Sequence, residues 1–223
     1  MLTPDLSILP PSQLAFWLKE VAAIPAGFVL YGGTAVALRC AHRQSVDFDW
    51  FSSRAGLLPR VRAFLERFPR HRILQQDSRM LTALIGQGAE TIKLQFFEGL
   101  AIGRVGVPDI CENGVVVASA LDLMATKLKT LQERSEAKDY LDVDALLTLG
   151  LDLGAGVAAA QALYPALNPT WTAKTVGWFG DGNLETELPK PVRNRLSIAS
   201  GAWQPSSKKA RLRAKALHPD KHK

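Results

Sequence analysis

The stretch that most constrains this chain is Val46-Asp47-Phe48-Asp49-Trp50-Phe51. Its β-branched and aromatic residues favour an extended strand, and the period of two puts Asp47 and Asp49 on one face with Val46, Phe48 and Trp50 on the other. The apolar face can seat in a core. The opposite face brings two like charges together, which is unfavourable unless a cation or a basic group neutralises them. Magnesium suits such a pair, because it takes carboxylate oxygens, keeps waters and completes its shell with substrate phosphates. A solvated outer face of an edge strand is the competing reading of an Asp-x-Asp strand met alone.

The segment just upstream favours the metal reading. Gly27 to Tyr31 is a short apolar run that reads as a buried strand, and Thr34 to Cys40 reads as a helix. Gly32 and Gly33 sit at the junction, where glycine allows positive φ and a close approach to a ligand. The free amides and positive dipole end of the helix favour an anion there. Thr34 can cap the helix or donate its hydroxyl to a phosphate. A plain tight turn explains Gly-Gly equally well when it stands alone. Neither the dinucleotide fingerprint nor the lysine-bearing phosphate loop is present.

A second block lies further on. Ser119-Ala120-Leu121-Asp122 is a capping-box pattern, so a helix is expected to start there, with Leu121, Met124, Leu128 and Leu131 as its apolar stripe. If that helix continues far enough, Lys127 and Arg134 share a face. A further helix from about Ala137 to Leu149 puts Asp139 and Asp142 one turn apart. Two cations facing a phosphate, with two carboxylates holding them, suit phosphoryl transfer, where positioning and charge stabilisation do most of the catalysis. An exposed helical face laced with ion pairs is the alternative.

These residues carry a family resemblance. Gly32 to Leu38, followed by Arg43 to Phe51, resembles the AbiEii/AbiGii-type nucleotidyltransferases, toxin components within the polymerase-β-like superfamily. Lys127, Arg134, Lys138-Asp139 and Asp142 resemble that family's downstream motif, and Trp178-Phe179-Gly180-Asp181 echoes an aromatic-Phe-x-Asp segment near its C-terminus. The match runs in order from about Gly27 to Trp203. It implies an α/β (α+β) fold with a nucleotidyltransferase-type mixed sheet flanked by helices, then a helical C-terminal half. It also implies transfer of an NMP from an NTP, with tRNA or another RNA as a possible acceptor and an antitoxin as a possible partner. By the same resemblance Asp47 and Asp49 hold Mg2+, and Gly32, Gly33, Thr34, Arg43, Ser45 and Arg134 bind the nucleotide. Lys127 and Asp139 join the two aspartates as catalytic residues. One position departs from the pattern: Gln95, in Glu90 to Phe97, stands where the superfamily has a third carboxylate. Glu98 could replace that acid only if the strand bends or bulges.

The rest of the chain sets boundaries. Its 223 residues, 47% hydrophobic, suffice for one domain or two small ones. Helices are expected near Ser12 to Ile24, Gly56 to Phe68 and Gly156 to Leu163. Strands are expected near Arg72 to Gln76, Met80 to Ile85 and Thr91 to Phe97, with extended pieces near Val105 and Val115. The expected organisation is a nucleotidyltransferase core over 1–118, a helical subdomain over 119–205 and a flexible basic tail over 206–223, with nucleotide in a cleft between the halves. No run is as long as a membrane span and no signal peptide opens the chain, so a cytoplasmic protein is expected. Cys40 and Cys111 fit that compartment. Residues 208–223 hold seven Lys or Arg side chains against Asp220, which equals the whole formal excess of +6. Such a tail can meet nucleic-acid phosphates or an acidic partner, or simply keep the protein soluble.

Overall fold

In the computed structural model, residues 1–205 and 210–219 are described. The tail expected over 206–223 therefore lies outside the described residues at 206–209 and 220–223. The chain forms two compact units. The first comprises Met1–Gly103, Val107–Ala118 and the described residues from Ala214 onward; the second comprises Arg104–Gly106 and the described part of Ser119–Arg213.

The first unit is a mixed seven-stranded sheet with helices. Its elements are α1 (Pro11–Lys19), β1 (Val29–Tyr31), α2 (Gly32–Cys40), β2 (Asp47–Phe51), α3 (Leu58–Leu65), β3 (His71–Gln76), β4 (Met80–Ile85), β5 (Ile92–Phe97), β6 (Asp109–Ile110) and β7 (Val116–Val117). The strand order is β3-β4-β5-β2-β1-β7-β6. β2 runs antiparallel to β1 and parallel to β5, so it sits inside the sheet rather than at an edge. The alternation read from the sequence holds for Phe48 and Trp50, which are buried. Phe48 meets Phe16 and Trp17 of α1 at ring separations of 5.3 and 6.4 Å, and Trp50 stacks over Phe96 at 6.5 Å. Each such side chain contributes about 1.5–3 kcal/mol when fully buried. Val46 departs from the expected pattern. It precedes the strand and is 52% exposed.

Several boundaries differ from the sequence reading for local reasons. α1 ends at Lys19 and a short 3-10 turn follows at Val21–Ala23. α2 starts at Gly32, two residues earlier than expected, and ends on Ala41 in the left-handed region. No strand of the sheet forms at Val105, whose amide donates to Asp122 within the second unit. Near the C-terminus Leu217 is buried and its amide donates to Ser53 Oγ at 3.2 Å.

The second unit is helical: α4 (Ala120–Thr130), α5 (Ala137–Thr148), α6 (Leu153–Leu163), α7 (Pro169–Val176), α8 (Leu184–Glu187) and α9 (Lys190–Ala202). Ser119 caps α4, accepting from the Asp122 amide at 3.1 Å, while the Asp122 carboxylate accepts from Val105 and Gly106 at 2.7 and 3.1 Å. Met124, Leu128 and Leu131 are buried as expected, joined by Leu123, whereas Leu121 is half-buried. α4 approaches α6 closely because Gly156 faces Met124; a Cβ there would lie 2.6 Å from Met124 Cγ. The helix does not continue to Arg134. It unwinds after Thr130 through tight turns in which Gln132 and Glu133 donate to Lys129 and Thr130. No helix among the described residues is long and apolar enough to cross a membrane.

Candidate active site

In the first unit, β1, α2 and β2 bring the first block together. Gly32 has φ +69°, and a Cβ on it would lie 1.9 Å from Asp49 Oδ2. Only glycine lets the helix start this close to that carboxylate. A Cβ on Gly33 would lie 2.4 Å from Arg43 Nη2 and 3.3 Å from Ser45 Oγ. The two glycines are thus flanked by the acid and by the basic residue of the same block. The first amides of α2 have no intrahelical acceptor, and its N-cap residue Tyr31 makes no side-chain cap bond.

Thr34 has a different position from Gly32 and Gly33. It is fully buried, and its hydroxyl bonds Ser45 Oγ at 2.9 Å and the Asp47 carbonyl. Its visible work is to fasten α2 to the start of β2. Ser45 is likewise buried, and Arg43 Nη1 donates to the Gln44 carbonyl at 2.9 Å.

Asp47 and Asp49 share a half-exposed face of β2. The parallel register sets Lys93 beside Asp47 and Gln95 beside Asp49. Gln95 is therefore the neighbouring-strand residue beside Asp49, the position that the resemblance associates with a third acid. Lys93 Nζ lies 3.5 Å from Asp47 Oδ2 and offsets part of the repulsion between the aspartates. The sequence reading did not single out Lys93. The available signal was its place two residues before Gln95, hence on the same strand face. Glu98 is committed elsewhere: it is buried and its carboxylate accepts from Gly56 and Leu58 at 3.0 Å each, with Leu57 between them, at the start of α3. β5 pairs with β2 in unbroken register, so no bulge turns Glu98 toward the aspartates.

The donor set fits magnesium in a specific way. Among the described residues no group of three or more His, Cys, Asp or Glu side chains could hold a metal on its own. Asp47 and Asp49 offer hard oxygen donors on one face, and a Mg2+ ion there would draw its remaining ligands from water and phosphate, which is its usual preference.

The second block forms its own network in the second unit. Lys127 is buried, with Nζ 2.7 Å from Asp139 Oδ1 and 2.6 Å from Asp142 Oδ2. Arg134 Nε reaches Asp139 Oδ2 at 2.8 Å while its side chain stays half exposed. Lys127 and Arg134 therefore converge through Asp139, even though they do not share a helix face. Burial alone would favour the neutral amine, but the Asp142 and Asp139 carboxylates outweigh it and hold Lys127 above the ordinary lysine range. Burial likewise pushes Asp139 up, and Arg134 and Lys127 overcome it, leaving the acid below its ordinary value. Next to Asp139, buried Tyr140 donates to the Trp178 carbonyl at 3.0 Å and packs on Phe179 at 5.8 Å, which ties in the third sequence echo. Outside these clusters, burial pushes the Cys111 thiol up to about 11, and neither Cys40 nor Cys111 forms a disulfide.

A strand, glycine turn, helix and Asp-x-Asp strand on a mixed sheet define a nucleotidyltransferase fold, and solved structures share it. A candidate nucleotidyltransferase from Helicobacter pylori superposes with a TM-score of 0.57 at 16% identity, covering 86% of this chain and 94% of that one. JHP933 from Helicobacter pylori gives 0.55 at 18% identity, covering 86% and 92%. Residues 20–204 match the family described as nucleotidyl transferase AbiEii toxin, type IV toxin–antitoxin system, and the chain belongs to that family. An uncharacterised protein of Aquifex aeolicus is 26% identical over 161 residues, 71% of this chain and 76% of its own length. The resemblance read from the ordered blocks is borne out, and the chain is a toxin-type nucleotidyltransferase.

Proposed function

We propose that this protein moves a nucleoside monophosphate from an NTP to an RNA acceptor, tRNA or another RNA, in a magnesium-dependent reaction. The observation that carries the reading is the packing of Gly32 against Asp49, with Asp47 on the same strand face. In the reaction an acceptor hydroxyl attacks the α-phosphorus and gives up its proton to solvent, a new phosphodiester bond forms, the α–β phosphoanhydride breaks and pyrophosphate leaves. Asp47 and Asp49 would hold Mg2+, which when bound would neutralise phosphate charge. The amides of Gly32 and Gly33 and the Arg43 guanidinium receive phosphate oxygens. Thr34 and Ser45 act behind them by fixing α2 to β2. In the second unit Lys127, Asp139 and Asp142 hold Arg134, the half-exposed cation of that network, in position to meet a phosphate.

The cationic residues clustered in 208–223 support an RNA acceptor through counterion release. Family membership supports a cognate antitoxin partner and a cytoplasmic site of action, where NTPs and tRNA are found. A second reading, a nucleotide-binding module with weak turnover, is favoured by one observation: Gln95 rather than an acid beside Asp49. Transfer to a small molecule or a protein side chain is a third. Incubation with labelled NTPs, magnesium and total RNA separates them. Label on RNA supports the proposal; label on protein or small molecules redirects it, and no label with retained NTP binding favours the module.

A further inference from the structure

The second unit holds a cavity of about 660 Å3, and two indoles stand at it. Trp171 on α7 is 67% exposed and Trp178, just beyond that helix, is 58% exposed. Trp171, Lys174, Thr175 and Trp178 follow the spacing of one helical face, and all four line the cavity together with Arg134. Lys174 makes no ion pair among the described residues.

Exposed tryptophan is costly to leave in water, yet these two are mounted on a fixed backbone. Asn168 caps α7 by accepting from the Thr170 and Trp171 amides at 2.9 and 3.1 Å. Gln132 donates to Thr172 Oγ1 at 2.7 Å, and buried Tyr140 holds the Trp178 carbonyl from below. The Trp178 ring lies against the backbone of Gly180, where a Cβ would come 2.9 Å from its Cζ2. The rings are therefore presented by a rigid support. A flat π face beside an ammonium and a guanidinium matches a base with its phosphate, and the cavity has the volume of a small-ligand site. Of the acidic side chains at the cavity, Glu133 is paired with Lys129, while Asp181, facing Ser135 Oγ at 3.5 Å, stands as one carboxylate against the two cations Lys174 and Arg134.

We infer that this cavity is a nucleobase site, in which an unpaired base stacks on Trp171 and Trp178 while Lys174 and Arg134 meet its phosphate. The inference deepens the RNA-acceptor reading and rests on it for the biological ligand, but binding is read without transfer, so the two fail independently. The base can come from a free nucleotide or from an acceptor strand.

The test titrates the full-length protein, with no magnesium, against a fluorescein-labelled single-stranded hexaribonucleotide, its abasic counterpart and the four NTPs. Anisotropy reads the oligomers and isothermal titration calorimetry reads the NTPs. Trp171→Ala and Trp178→Ala should each weaken binding of the single strand at least about tenfold, whereas Trp→Phe at either position should restore most of it. Lys174→Ala should lower the slope of log affinity against log salt by about 0.7. Losses confined to the oligomer identify an acceptor strand; losses confined to NTPs identify a free nucleotide. Either supports a base site. Affinities within twofold of wild type in both Trp→Ala variants, or equal binding of the abasic oligomer, would overturn it and leave the indoles as a protein-docking surface.

Discussion

Gly32→Ala should damage both stability and the metal site, by an amount the structure lets one work out. An alanine at φ +69° occupies the left-handed region, which costs an L-residue about 1–2 kcal/mol. Its Cβ would fall 1.9 Å from Asp49 Oδ2, so the carboxylate must leave its position. Forcing that side chain off its rotamer adds about 0.5–1.5 kcal/mol. The sum is about 1.5–3.5 kcal/mol, which in a chain of this size corresponds to a fall in Tm of about 3–14 °C. Gly114→Ala is the control: φ there is +81°, but nothing lies within 4 Å of an added Cβ. It should show the conformational part alone and leave metal binding unchanged. Thermal melts of both variants, with Mn2+ titration by electron paramagnetic resonance in the presence of a non-hydrolysable NTP, give the comparison. If Gly32→Ala melts with Gly114→Ala and binds Mn2+ as wild type does, Gly32 is not what seats Asp49.

Gln95→Asp should raise Mn2+ affinity in the presence of NTP about tenfold by adding an acid beside Asp49; unchanged affinity would show that this side chain does not face the metal. Lys93→Ala should also raise it, because the ammonium competes with the metal for Asp47, and a decrease would contradict that role. The Lys127 network predicts a stability plateau at neutral pH. Asp139 titrates below its unfolded value of about 3.9, so its stabilisation is present above about pH 4 and is lost as pH falls through the folded value. Lys127 titrates above its unfolded value of about 10.4, so its contribution is present below that pH and is lost as pH rises through the folded value. Asp139→Asn should lower the plateau by about 3–5 kcal/mol and flatten the acid limb in urea unfolding; an unchanged acid limb would place the charge linkage elsewhere.

The parts of the site that were legible in the sequence are those set by local periodicity. Asp47 and Asp49 fall on one face because a strand alternates, and the start of α4 at Ser119 follows from its cap. What was illegible depends on partners far along the chain. Lys93 meets Asp47 only because β2 and β5 run parallel in a particular register. The sequence pairs Lys127 with Asp139 and Asp142, but only the packing of α4 and α5 shows that this pairing buries the lysine. Thr34 reads as a phosphate donor, but its hydroxyl is taken by β2. Glu98, a candidate acid by proximity in sequence, is claimed by the start of α3, whose amides need an acceptor. Arg134 reaches its partner by the unwinding of α4 rather than by its continuation.

The central claim is that Asp47 and Asp49 hold the metal that makes NMP transfer possible. Asp47→Asn and Asp49→Asn keep side-chain shape, and each relieves the like-charge repulsion, Asp47→Asn also giving up the half-exposed Lys93 contact, so both proteins should melt within a few degrees of wild type. Transfer from a labelled NTP, followed across a magnesium titration, should fall by at least about a hundredfold in each variant without recovery at high magnesium. Near-normal transfer by either variant, with the same magnesium requirement as wild type, would contradict the assignment of this site.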